Sequence, residues 1–228
     1  MSANHVIAAR VTGAAALGVA LLYIVSIPVG SLASVPPSDA TGTEILRFVV
    51  DHRGGVLAAV VLNGVAWCAL MPVAFAGLRE LLGPAGGAAA AVSFGCALVT
   101  AALVGVLLVF SGLVAYDASR IDASTARLLV DASNLATSAS GWSTVPCAIG
   151  MALAVRRTRA LPRAVVGLAF ASAAIECVSS VSFARAGALA PTGIALLAPA
   201  VFAAWMTVVG IALLRRAAGA PAHEPVTT

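Results

Sequence analysis

Apolar residues fall in six long blocks along this chain, at residues 9–32, 55–78, 86–116, 128–155, 164–184 and 189–214, with short polar or arginine-bearing segments between them. Each block approaches or exceeds the roughly 20 residues that an α-helix needs to cross a hydrocarbon core. The pattern predicts an all-α fold, a polytopic transmembrane bundle of six helices that forms one domain over residues 1–216. Residues 217–228 have the composition of a disordered cytoplasmic tail. The first block, with "GSLASV" near its end, has the look of a signal peptide, but its apolar core is longer than the usual 7–15 residues. It is read as a retained span.

Two segments between blocks resemble each other. "DATGTEILRFVVD" at 39–51 and "DASTARLLVD" at 122–131 both open with Asp-Ala and a hydroxyl residue, and both close with Arg-x-x-Val-Asp. They suit either of two origins: a duplicated helical hairpin, or two helix starts under the same constraints. Thr41 and Glu44 have capping-box spacing, and Asp122 sits where an N-cap belongs. Arg47 and Asp51, like Arg127 and Asp131, are placed to pair along one helix face. A short amphipathic outer helix is therefore expected before spans two and four.

Composition strengthens the membrane reading: 61% of the residues are hydrophobic, 10% are charged, and the mean hydropathy is +1.05. All basic side chains except the histidines are arginines. Arg10, Arg79, Arg156, Arg157, Arg159, Arg163, Arg215 and Arg216 fall at one end of the expected bundle, which favours both termini in the cytoplasm of a cell with the chain in its plasma membrane. The net charge of +4 is thus a topology signal and does not point to nucleic acid. The expected partner is the lipid bilayer, and Ala- and Gly-rich helix faces also suit packing against a second copy.

One residue stands against this background. Glu176 lies inside "SAAIECVSS", in a stretch without charge from 164 to 184. A carboxyl at that depth is costly unless it is protonated or hydrogen-bonded, and intramembrane carboxyls often mark functional sites. Ser172, Ser179 and Ser180 share its helix face. Asn63 and Trp67 in span two, Asn134, Ser138 and Trp142 in span four, and Tyr23 in span one fall at similar depth. Together they predict a polar cavity in the outer half, with Glu176 as candidate general acid or base and the others as binding residues.

Other chemistries find no support. Cys68, Cys96, Cys147 and Cys177 are spread over four spans without metal-ligand spacing, and His5, His52 and His223 lie outside the spans. No metal site or cofactor is expected. Three features resemble the six-helix integral membrane proteins of unknown function found in actinobacteria: Arg10-Val-Thr-Gly13 opening the first span, Asp39-Ala-Thr41 leading the outer helix, and "RTRALPRAVVGLAF" opening the fifth. That resemblance implies fold and location and carries no site residues across.

Three functions remain open on these residues. The first is a binding protein whose cavity takes a small lipophilic molecule near Glu176. The second is an intramembrane acid-catalysed enzyme such as a membrane terpene cyclase, for which the aromatic content of 5% is low. The third is a structural or transporter-associated subunit. Transport itself ranks lower, because the inner half offers no polar residues to line a path.

Overall fold

A computed structural model describes residues 3–30, 38–181 and 197–219. The expected ends of spans one, five and six at 32, 184 and 189, together with Arg185, His223 and most of the tail, lie outside the described residues. Every regular element among those described is a helix: α1 (Ala3–Val29), α2 (Gly42–Asn63), a π-helical stretch (Gly64–Leu70), α3 (Met71–Tyr116), α4 (Ala123–Thr158), α5 (Arg163–Ser179) and α6 (Leu197–Ala218). Four stretches are long and apolar enough to cross a membrane: Ala3–Val29, Gly42–Tyr116, Ala123–Thr158 and Leu197–Ala218.

The second stretch carries two of the expected spans in one helical run, because α2, the π stretch and α3 join without a loop. It does not run straight. Gly83 and Gly87 adopt φ of 55° and 57°, a region closed to most side chains, and the chain reverses there. Contacts across the turn prove the reversal: the Arg79 guanidinium sits 5.6 Å over the Phe94 ring, the Cys68 thiol donates to the Ala101 carbonyl at 3.4 Å, and Arg53 donates to the Tyr116 carbonyl at 2.9 Å. As one residue number rises, its partner's falls, which is the mark of an antiparallel helical hairpin.

The next pair, α3 and α4, is antiparallel too. Between α3 and α4, Ser93 donates to the Cys147 carbonyl at 2.8 Å, Thr100 meets Ser143 at 2.8 Å, and Ser111 meets Ser133 at 3.0 Å. In lipid the apolar faces gain little by meeting each other, so close backbone approach and such hydroxyl contacts, each worth on average about 0.6 kcal/mol, hold helices together. Glycines permit the approach. A Cβ on Gly13 would stand 3.1 Å from the Gly210 carbonyl oxygen, and one on Gly150 would stand 2.8 Å from that of Ala89. With α4 against α5, α5 against α6 and α6 against α1, the helical limbs close a ring.

The two ends of this ring differ. Towards the arginine-rich end the interior is solid, filled by Trp205, Phe75, Phe202, Met71, Leu78, Met151 and Met206, all with almost no exposed surface. At the other end a small second core of Ala40, Ile45, Val49, Val114, Ala115 and Ala126 forms a roof. The outer wall is apolar, with Leu21, Ile24, Val61, Val109 and Leu135 facing outward as a lipid-contacting surface requires.

The helix starts near the roof follow the sequence. Thr41 and Glu44 form a reciprocal capping box, and Asp122 accepts from the Thr125 N–H at 2.7 Å. Residues 42–51 form a short helix set off from the rest of α2 by a kink at His52 (φ −120°, ψ 19°), whereas α4 runs on from Ala123 without a break, so no separate helix precedes the fourth span.

Candidate functional site

Between the solid end and the roof lies a cavity of about 420 Å³. Its floor is aromatic. The Trp67 ring packs 4.9 Å from Phe202 and receives the edge of Tyr23 at 6.3 Å, and Phe202 continues to Phe75 and Trp205 below. Trp67 reaches this position from the π-helical stretch, where Met71 N–H bonds the Ala66 carbonyl five residues back. Asn63 and Trp67, four residues apart on one helix face, both line the cavity, and π-helical turns recur at functional sites.

Glu176 comes from α5 and lines the cavity wall. It is only 7% exposed, and none of the described residues makes a hydrogen bond to its carboxyl. Asn63 and the neighbouring serines make no hydrogen bond to it. Asn63 instead donates to the Ala59 carbonyl at 2.9 Å, Ser180 donates to the Cys177 carbonyl at 2.8 Å, and the Ser172 hydroxyl is fully buried without a partner. No arginine, lysine or histidine appears among the described residues of the lining. Among the described residues the carboxyl thus meets no counter-charge in the cavity.

Of the residues singled out in the sequence, Tyr23, Asn63, Trp67, Asn134, Glu176 and Ser179 lie around this cavity. Ser138, Ser172 and Ser180 are buried outside the lining. Trp142 is 63% exposed on the outside of α4, and its indole N–H reaches the Ser180 carbonyl at 3.2 Å. Of this stripe Asn134 lines the cavity, Ser138 is buried outside the lining, and Trp142 faces outward. The hydroxyl-bearing face of α4 that does line the cavity is Ser133, Thr137, Ser140 and Thr144, whose spacing of four, three and four was equally visible in the sequence. Thr100 and Ser111 face them from α3.

The roof is fastened by one arginine. Arg127 of α4 donates to the carbonyls of Ser38 and Ala40 at 2.6 Å each, while its other bonds go to the Asp131 carboxylate at 2.6 and 3.2 Å. Ser38, Ile45, Phe48 and Val49 all touch the cavity, so this clasp holds its cover in place. No sequence spacing announces it, because the partners are main-chain carbonyls nearly ninety residues away.

Groups of three or more His, Cys, Asp or Glu side chains able to hold a metal ion are absent among the described residues. Cys147 is buried beside Ser93, and its sulfur lies 3.8 Å from the Ser93 hydroxyl. What the cavity offers chemically is one carboxyl, a lining of hydroxyls and amides, and a long apolar wall of Val56, Val60, Val104, Leu107 and Leu108. No family model, curated protein or solved structure matches the chain.

Proposed function

We propose that this chain is a six-span integral membrane protein of the plasma membrane, with both termini in the cytoplasm, whose outer-half cavity binds a small lipophilic molecule at Glu176. The observation that carries the reading is the Glu176 carboxyl: buried, facing about 420 Å³ of space, and without a hydrogen-bond partner among the described residues. A polar group in that position costs free energy until something meets it. A concave, mostly apolar site with few polar groups is the ordinary form of a small-molecule pocket, and its volume falls within the usual range.

Several features support the particulars. The reversal at Gly83–Gly87 divides the long run into two crossings, which brings the count to six once α5 is included. Eight arginines gather at the end away from the caps, as the positive-inside bias requires for a cytoplasmic end. The packed aromatic and methionine layer beneath Trp67 favours binding over passage through the bundle. The likeness to actinobacterial six-helix proteins belongs to the same proposal and rests on the sequence.

A second reading has one observation in its favour. A carboxyl near the rings of Tyr23 and Trp67 is also the arrangement that an intramembrane acid catalyst acting on an apolar substrate needs. Incubating the protein with its captured compound and looking for a product separates the two.

The test is native mass spectrometry of the wild type and Glu176→Gln, each extracted gently from its own membrane. A compound retained by the wild type and lost from a folded variant is the expected result. Empty protein in both, with the variant destabilised, would overturn the binding role and leave Glu176 as a packing residue.

A further inference from the structure

The polar lining of the cavity has a sign. A hydroxyl has one proton to give and two lone pairs to offer. Most of the hydroxyls here have already given their proton to a helix carbonyl: Ser26 to Tyr23, Thr137 to Ser133, Ser140 to Thr137 and Thr144 to Ser140, at 2.7 to 3.0 Å. Ser133 reaches the Leu107 carbonyl at 3.3 Å, which leaves Ser111 to donate to Ser133. Ser143 donates to the Ser140 carbonyl at 2.9 Å, so Thr100 donates to Ser143. What these groups can still offer a guest is lone pairs.

Asn63 behaves in the same way. A carbonyl oxygen can only accept, so the Asn63 atom lying 2.9 Å from the Ala59 carbonyl is the amide nitrogen, which leaves its Oδ1 as a free acceptor. The donors still unspent at the wall are neutral: Tyr23, Asn134, Ser179, the Trp67 indole and the second N–H of the Asn63 amide. None supplies positive charge. Among the described residues of the lining the one carboxyl is that of Glu176, and none of them brings a positive charge to it.

From this imbalance we infer that the guest is a lipophilic organic ammonium, an amine whose N–H donors meet Glu176 and the surrounding lone pairs while its apolar body lies along Val56, Val60, Val104, Leu107 and Leu108. The inference rests on the binding role proposed above and narrows it to one chemical class. A bare metal ion fits poorly, because no cluster of ligating side chains is present among the described residues and most of the wall is apolar. A carboxylate guest would meet Glu176 as a like charge. An ammonium gains charge-assisted hydrogen bonds, which are about twice as strong as neutral ones.

Four fluorescent probes that share one ring system read the inference directly: 1-naphthylmethylamine, 1-naphthalenemethanol, 1-naphthoate and the N,N,N-trimethyl derivative of the amine. Binding is measured to the full chain in lipid nanodiscs, with empty nanodiscs subtracting partition into lipid. The amine is expected to bind at least about tenfold more tightly than the alcohol, as a charge-assisted bond in place of a neutral one implies. The naphthoate should bind weakest. The trimethylated probe, which keeps the charge and loses the N–H donors, should fall between amine and alcohol, and Glu176→Gln should bring the amine down to the level of the alcohol.

Equal binding of amine and alcohol to the wild type would overturn the ammonium class while leaving the cavity's binding role intact. Trimethylated probe as tight as the amine would overturn the part assigned to the lone pairs. Saturable binding of none of the four would overturn both the inference and the binding role on which it rests. The wild-type comparison decides even if Glu176→Gln does not fold.

Discussion

Replacing Arg127 with methionine should open the roof without unfolding the bundle. The side chain is 19% exposed and spans the gap between α4 and the segment ahead of α2, with two bonds to carbonyls and two to Asp131. Hydrogen bonds from a charged donor contribute about 1.5–3 kcal/mol each, and water recovers part of that at a site this accessible. The two carbonyl bonds, about 3 kcal/mol together at the low end of that range, then hold residues 38–40 by roughly 2 kcal/mol once that recovery is subtracted. Methionine keeps much of the aliphatic packing, so the loss should appear as local opening.

An opening penalty reduced by that amount corresponds to roughly 30-fold faster exchange. Hydrogen exchange followed by mass spectrometry should show it at the amides of residues 45–51, which carry Ile45, Phe48 and Val49 over the cavity, while α6 retains its protection. His52 marks the far limit of the effect, since the helical path is already interrupted there. Arg127→Lys keeps the charge but loses the fork that reaches two carbonyls and a carboxylate together, and should fall between the two. Unchanged exchange at 45–51, or acceleration spread evenly into α6, would refute the clasp.

Two other expectations test the framework. At Gly141 a Cβ would lie 2.8 Å from that of Ser180 and 3.0 Å from the Glu176 carbonyl oxygen, so Gly141→Val should force α4 and α5 apart and cost on the order of 1–3 kcal/mol, read as a lower thermal midpoint. Gly167→Ala, where nothing lies within 4 Å, should match or exceed wild type; a loss equal to that of Gly141→Val would show that helix spacing is not the cause. The caps give a pH signature. The Thr41 N–H holds the Glu44 carboxyl below its ordinary range, and the Thr125 N–H does the same for Asp122. Because folding lowers both pKa values, their contribution is complete above the unfolded values near 4 and is lost as the pH falls through the lower folded values. Protection of the first turns of α2 and α4 should decline with acid in the wild type and show a flatter profile in a Glu44→Gln, Asp122→Asn double variant; identical profiles would remove the caps as the source.

Individual residues show which parts of this architecture a sequence can reveal. The caps at Thr41 and Asp122 were legible because an N-cap is local chemistry, settled within four residues. Glu176 was legible because an isolated carboxyl in an apolar run is conspicuous wherever its helix points. The face of α4 was harder. Ser138 and Trp142 lie along one stripe and Ser133, Thr137 and Ser140 along another, and α4 has polar residues on both. The choice depends on where α5 and α3 stand, which is tertiary information. Trp142 shows the ambiguity well, since a tryptophan suits an interior wall and a lipid-facing surface equally, and here it faces outward.

The aromatic floor was the least legible feature, and the reason is physical. Tyr23, the pair Trp67 and Phe75, and the pair Phe202 and Trp205 come from three different limbs of the ring, so spacing within a single helix does not reveal their convergence. Their convergence also explains why the cavity stops where it does. Large flat rings fill the space between the helices below Trp67, while above it the inward positions go to Ser, Thr, Val and Asn, which are too small to meet across the ring. The hollow is thus a consequence of side-chain size, and its acceptor-rich sign follows from the helices themselves: serine and threonine without cross-helix partners bond their own main-chain carbonyls one turn back. With most of these protons turned inward to the helix, the single Glu176 carboxyl is what would give the space its preference for positive charge under the ammonium reading proposed above.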